Sequence, residues 1–196
     1  MVMDAPPLIT SPDRWLQAVL ADFPAFLSDH ASCEKKASGM ALNVAAHYPD
    51  QPLLVRTMAD LAVEELSHYR EVIRVMLEHG LVAGADVRDP YVKAMQALIR
   101  QGPGRYLLDR LLVAALIERR GAERFARIAA ALPGTPWASL QGFYSALATS
   151  EQRHWEQFSQ LAERVCGGAE VAPRLHELAA HENAIMLALL PRAALH

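Results

Sequence analysis

Two short patterns carry the clearest chemistry in this 196-residue chain: Glu65-Leu66-Ser67-His68 and Glu151-Gln152-Arg153-His154. Both read E-x-x-H. On a helix, residues three apart share a face, so each pair points a carboxylate and an imidazole at the same place. That combination binds a metal ion. A lone E-x-x-H is a weak signal, because solvated helix surfaces produce it often. Here each one lies within an apolar stripe. Met58, Leu61, Glu65, His68, Val72 and Val75 recur at spacings of three and four, and so do Leu147, Glu151, His154, Phe158 and Leu161.

Two further glutamates occupy equivalent stripes. Glu34 lies among Phe23, Leu27, His30, Ala37 and Ala41; Glu118 lies among Leu111, Ala114, Ala122 and Phe125. Glu34 precedes Glu65 by 31 residues and Glu118 precedes Glu151 by 33, so one helix-pair arrangement occurs twice. Burying a carboxylate without compensation costs several kcal/mol or forces protonation, on the order of the penalty for any isolated charge. A bound cation supplies that compensation. Glu34, Glu65, His68, Glu118, Glu151 and His154 are therefore the candidate ligands. Their oxygen-rich donors suit iron or manganese better than zinc or copper. The set resembles that of ferritin-like di-iron and di-manganese proteins.

Other polar residues near these stripes have plainer readings. Glu64, Glu71, Glu123 and Glu156 fall at the edges, where solvent or arginine pairing is expected. His30, one turn before Glu34 on the same stripe, reads either as a hydrogen-bonded core histidine or as a residue supporting Glu34 or lining a channel, and Cys33 reads as a small buried residue. Tyr69, Tyr144 and Trp155 read as packing aromatics. Gly121 leaves space either for a small molecule or for close helix contact.

The elements that must hold these residues read as all-α. Alanine and leucine abound, and Gly and Pro cluster at breaks. A first helix is expected after Ser11-Pro12, with Ser11 as its N-cap. Long helices follow over about 25–48, 53–79, 105–132 and from Thr135-Pro136 to about 165, with shorter ones over 91–100 and 173–190. The expected fold is a single ferritin-like four-helix bundle spanning 1–196, with accessory N-terminal, connecting and C-terminal helices.

Composition narrows the function classes. A net charge of −3 and a pI near 6.2 argue against a strongly basic, nonspecific nucleic-acid binder. No apolar run approaches the ~20 residues of a membrane span. Met1 to Pro12 shows no secretory pattern, and two cysteines without a framework fit a reducing cytoplasm. Arginines at 100, 105, 110, 119, 120, 124 and 127 read either as a phosphate-facing surface or as ordinary helix charge.

Several segments together resemble a known family. Asp29-His30-Ala31-Ser32-Cys33-Glu34-Lys35-Lys36-Ala37, Glu64-Glu65-Leu66-Ser67-His68-Tyr69, Ile117-Glu118 through Phe125, and Ser150-Glu151-Gln152-Arg153-His154-Trp155 look like the tRNA 2-methylthio-N6-isopentenyladenosine hydroxylase (MiaE-like) family. The likeness runs from about Trp15 to Val165. The chain departs from the family pattern at Arg119-Arg120-Gly121-Ala122, at Asp89-Pro90-Tyr91-Val92 and at Gly102-Pro103. The resemblance implies a non-haem di-iron monooxygenase that uses O2 and two electrons on the isopentenyl group of a modified adenosine beside the tRNA anticodon. It implies two iron ions on the six candidate ligands, a reductase or ferredoxin-type electron donor, and a cytoplasmic monomer or small homo-oligomer. A di-iron oxidase or oxygenase of a small molecule, and a ferritin-like iron-binding protein, are the alternative readings.

Overall fold

The structure is a computed structural model that describes residues 5–196. Among the described residues it holds seven α-helices and one 3-10 turn, with no strand. None of the helices is long and apolar enough to cross a membrane. The chain divides into two compact units, and the boundary falls within α1 (Asp13–Ala21).

The first unit comprises Gln17–Arg88 and Pro191–Leu195. It is built on α2 (Phe23–His47) and α3 (Pro52–Glu78), which pack together as an antiparallel hairpin. Asp22 caps α2 by accepting from the Ala25 amide, and Pro24 sits in the first turn, where its missing N–H costs nothing. The chain thus breaks between Ala21 and Phe23, and Pro24 lies in the first turn of the new helix. At the other end, Gly80 takes a φ of 69° and closes α3. Its N–H donates to Leu77 O and that of Leu81 to Met76 O, the pairing of a Schellman cap. Ser38 donates to Ala62 O at 2.8 Å and pins the two helices mid-length.

The second unit holds the described residues through Leu16, Asp89–Leu190 and His196. Its hairpin pairs α5 (Arg105–Ala131) with α6 (Gln141–Cys166). The shorter α4 (Pro90–Gln96) and α7 (Val171–Ala188) pack against each other and against α5. Asp89 caps α4 by accepting from the Tyr91 and Val92 amides. A 3-10 turn, Ala138–Leu140, precedes α6, which begins later than the Thr135-Pro136 signal suggests. Thr135 Oγ1 accepts from Trp137 N and donates to Leu132 O, so the signal marks the turn.

Ser11 does not serve as the expected N-cap. It is buried, with its N–H and hydroxyl both donating to Glu123. Its hydroxyl oxygen accepts from Arg124 Nε at 3.0 Å, so a side chain far along the chain takes the place of a helix N–H.

Candidate metal centre

Each hairpin buries one of the sequence-derived ligand groups. On α2 and α3, Glu34 and Glu65 are 3% and 1% exposed, and the His68 side chain is 12% exposed. One ligand atom from each lies within 4.8 Å of the others. His68 Nδ1 stands 3.5 Å from Glu65 Oε2 and 3.7 Å from Glu34 Oε2. On α5 and α6, Glu118, Glu151 and His154 are all buried, again with ligand atoms mutually within 4.8 Å. His154 Nδ1 stands 3.7 Å from Glu118 Oε2. In both triads the imidazole turns Nδ1 toward the glutamate of the preceding long helix, at the same distance.

The α2–α3 triad behaves as a concentration of negative charge. Burial raises the pKa of Glu34, but hydrogen bonds with His30 and then His68 outweigh it, holding the carboxyl well below the usual carboxylate range. Burial likewise disfavours a charged His68, yet hydrogen bonding to Glu34 and Glu65 reverses this and raises its pKa to about 10. The metal-free triad thus keeps a proton on His68 at neutral pH, where a cation would otherwise sit.

The donor sets fit a divalent metal. Each triad offers two carboxylates and one imidazole in a buried setting, a hard, oxygen-rich arrangement suited to iron or manganese. Close packing supports the second triad: a Cβ added to Gly121 would lie 3.3 Å from Glu151 Oε2. The glycine makes room for the Glu151 carboxylate, which accounts for one of the two readings this residue had in the sequence.

The family model described as tRNA-(MS(2)IO(6)A)-hydroxylase (MiaE) matches residues 7–196. The chain belongs to this family. A MiaE-family relative from Pseudomonas putida, named tRNA 2-(methylsulfanyl)-N(6)-isopentenyladenosine(37) hydroxylase, is 36% identical over 162 residues, covering 83% of this chain and 77% of the relative. A relative of the same name from Salmonella typhimurium is 34% identical over 114 residues, 57% of this chain and 40% of that one. A solved structure, "Protein 43 with aldehyde deformylating oxygenase activity from Synechococcus", superimposes with a TM-score of 0.87 at 32% identity, covering 100% of this chain and 96% of that one. The fold class is accordingly the all-α, ferritin-like one expected from the sequence.

The structure revises the arginine reading for this MiaE-family chain. Arg120 and Arg124 are buried and cannot face a phosphate. Arg120 pairs with Glu182, while Arg124 donates to Ser11 Oγ and lies over the Trp15 ring. Arg127 binds Ser11 O and Asp13; Arg119 donates to Pro6 O and lies over Trp155. These four fasten the N-terminal segment and α6 to α5. Arg100 is committed to Asp109, Arg110 lies over Tyr106, and Arg105 is exposed. Asp109, Glu182 and Arg174 form buried pairs that periodicity alone did not single out. Cys33, expected to be buried, is partly exposed and contacts Asp29.

Proposed function

We propose that this chain is a di-iron monooxygenase that hydroxylates the isopentenyl group of 2-methylthio-N6-isopentenyladenosine in tRNA. The observation that carries this reading is the pair of buried Glu, Glu, His triads, one per hairpin. Glu34, Glu65 and His68, with Glu118, Glu151 and His154, are proposed to hold two iron ions within one ferritin-like domain. The substrate follows from the relatives' printed names.

Bound iron would supply O2 activation, consuming two electrons and two protons as one oxygen atom enters a C–H bond and the other leaves as water. The chain's own residues set the conditions. Four carboxylates balance the charge of two divalent ions, leaving the imidazoles to complete the coordination. Leu27, Leu61, Val72, Leu111, Leu147 and Phe158 line the same helix faces and keep bulk water from the donors. Electrons are proposed to come from a reductase or ferredoxin-type protein, in the cytoplasm where tRNA is modified, with the enzyme a monomer or small homo-oligomer.

Nucleoside mass spectrometry of tRNA from cells with and without the protein tests the substrate. Loss of the hydroxylated isopentenyl-adenosine on deletion is expected; an unchanged profile would remove this function.

A second reading draws on the Synechococcus neighbour, a protein described as having aldehyde deformylating oxygenase activity. The same donor set could act on an aldehyde. Aldehyde consumption by the iron-loaded protein, with an unchanged tRNA profile, would favour it.

A further inference from the structure

Two residues outside the six candidate ligands stand one helical turn before a ligand and meet it from behind. On α2, His30 is fully buried, and its Nε2 lies 2.7 Å from Glu34 Oε1. The His30 ring stacks at 5.8 Å on Phe26, one turn earlier still, so its orientation is set by packing. On α3, Glu64 Oε1 stands 3.9 Å from His68 Nε2, inside ion-pair range and beyond hydrogen-bond range. Both pairs have the i, i+4 spacing that keeps two side chains on one helix face.

The geometry divides each ligand's two donor atoms between two tasks. An ionised carboxylate only accepts hydrogen bonds, so His30 Nε2 must carry the hydrogen that it gives to Glu34 Oε1. That engages one lone pair of Oε1, while Oε2 is the oxygen facing His68 Nδ1, at 3.7 Å. His68 mirrors this arrangement. Its Nδ1 faces Glu34 and Glu65, while its Nε2 faces Glu64. A histidine that binds metal through one nitrogen carries hydrogen on the other, and a carboxylate behind that nitrogen fixes the ring and raises its basicity. The alternative for His30, a core histidine satisfied by the nearest acid, explains its hydrogen bond but predicts no effect on metal binding.

We propose that His30 and Glu64 are positioning residues of the α2–α3 triad: His30 selects the Glu34 oxygen, and Glu64 the His68 nitrogen, presented to a metal ion. This rests on the metal-centre reading above. Neither residue touches substrate or metal; each acts through the ligand four residues later.

Cobalt(II) titration of the full-length protein, followed by the visible d–d absorbance, tests the assignment. His30→Leu and Glu64→Ala should each weaken Co(II) binding by about 10–100-fold and shift the absorbance bands. His30→Gln, whose amide still donates, and Glu64→Asp, which keeps a carboxylate on that helix face, should recover most of the affinity. Wild-type affinity and spectrum in His30→Leu and Glu64→Ala would overturn the proposal. So would His30→Gln and Glu64→Asp variants no better than their Leu and Ala counterparts. Should His30→Leu not fold, the wild-type protein loaded with zinc(II) decides. Long-range ¹H–¹⁵N correlations should show His30 Nε2 still bearing hydrogen and His68 metallated at Nδ1. Zinc on His30, or on His68 Nε2, would overturn it. Failure of the wild-type protein to bind any metal would instead remove the metal-centre reading, and this proposal with it.

Discussion

Arg120 meets Glu182 through two near-parallel hydrogen bonds, Nε to Oε1 at 2.7 Å and Nη2 to Oε2 at 2.9 Å, with both side chains shut off from solvent. Tyr91 donates to the same carboxylate at 3.0 Å, and Arg120 also donates to Ile9 O. The pair joins α5 to α7 and holds the N-terminal segment, although Arg120 lies only two residues from Glu118. Removing one partner leaves the other charge buried, which costs about 3–5 kcal/mol. Arg120→Met or Glu182→Leu alone should lose that much in urea denaturation. The double variant should lose much less, and single variants within about 0.5 kcal/mol of wild type would refute the assignment.

The six proposed ligands should divide by hairpin. Wild-type protein is expected to take up about two irons per chain. His68→Ala and His154→Ala should each reduce this toward one, and their combination toward none, by elemental analysis. Two retained irons in either single variant would show that its histidine is not a ligand.

Metal uptake by the α2–α3 triad should release a proton. His68 has a pKa raised to about 10 in the metal-free protein, so it is charged at neutral pH and must deprotonate to ligate. Calorimetric titration in buffers of different ionisation enthalpy should reveal this release and show affinity rising with pH. The same raised pKa gives the metal-free fold a stabilising contribution. It is complete below the ordinary value of 6.5 and lost as the pH climbs through about 10. Unfolding of metal-free His68→Ala should therefore differ from wild type at pH 6 and converge with it above pH 10; a constant difference would contradict the shift.

Asp109 should govern acid stability in its unit. This buried carboxylate accepts from Arg100 and Arg174, which together overcome the cost of burial and hold its pKa below the ordinary 3.8. A depressed carboxyl stabilises the fold above its ordinary value, and the contribution disappears as the pH falls through the lower, folded value. Asp109→Asn should cost about 3 kcal/mol at neutral pH. That gap should persist down to about pH 4 and close below it in urea melts, the contribution of one carboxyl.

Gly121→Ala sets two effects against each other. Alanine is favoured over glycine in a helix interior by up to about 1 kcal/mol, although Gly121 is buried on α5. The added Cβ would lie 3.3 Å from Glu151 Oε2, so the carboxylate must move by a few tenths of an ångström. The metal-free variant should stay within about 1 kcal/mol of wild type, while its Co(II) affinity falls. Unchanged metal affinity would show that the glycine serves helix packing alone.

Much of the site was legible in the sequence because its cause is local. The three-residue spacing of Glu65 and His68, and of Glu151 and His154, places each pair on one helix face whatever the surroundings. Apolar neighbours at three and four residues turn that face inward. The Gly80 stop and the proline-led starts of α2, α3 and α4 follow equally local rules. The errors arose where a distant partner competed. Ser11 reads as a helix cap, but Arg124 donates to its hydroxyl oxygen and Glu123 accepts its hydrogen. Arg120 and Arg124 resembled surface charge until Glu182 and the Ser11 segment enclosed them.

The sequence alone determined the helical class, the six inward donors and the doubled pattern that groups them, because helix periodicity and the cost of burying charge act within a few residues. Tertiary structure decided which donor atoms face one another across helices and which arginines are buried. Those outcomes depend on the direction a side chain takes and on partners many residues away. Spacing along the chain restricts neither.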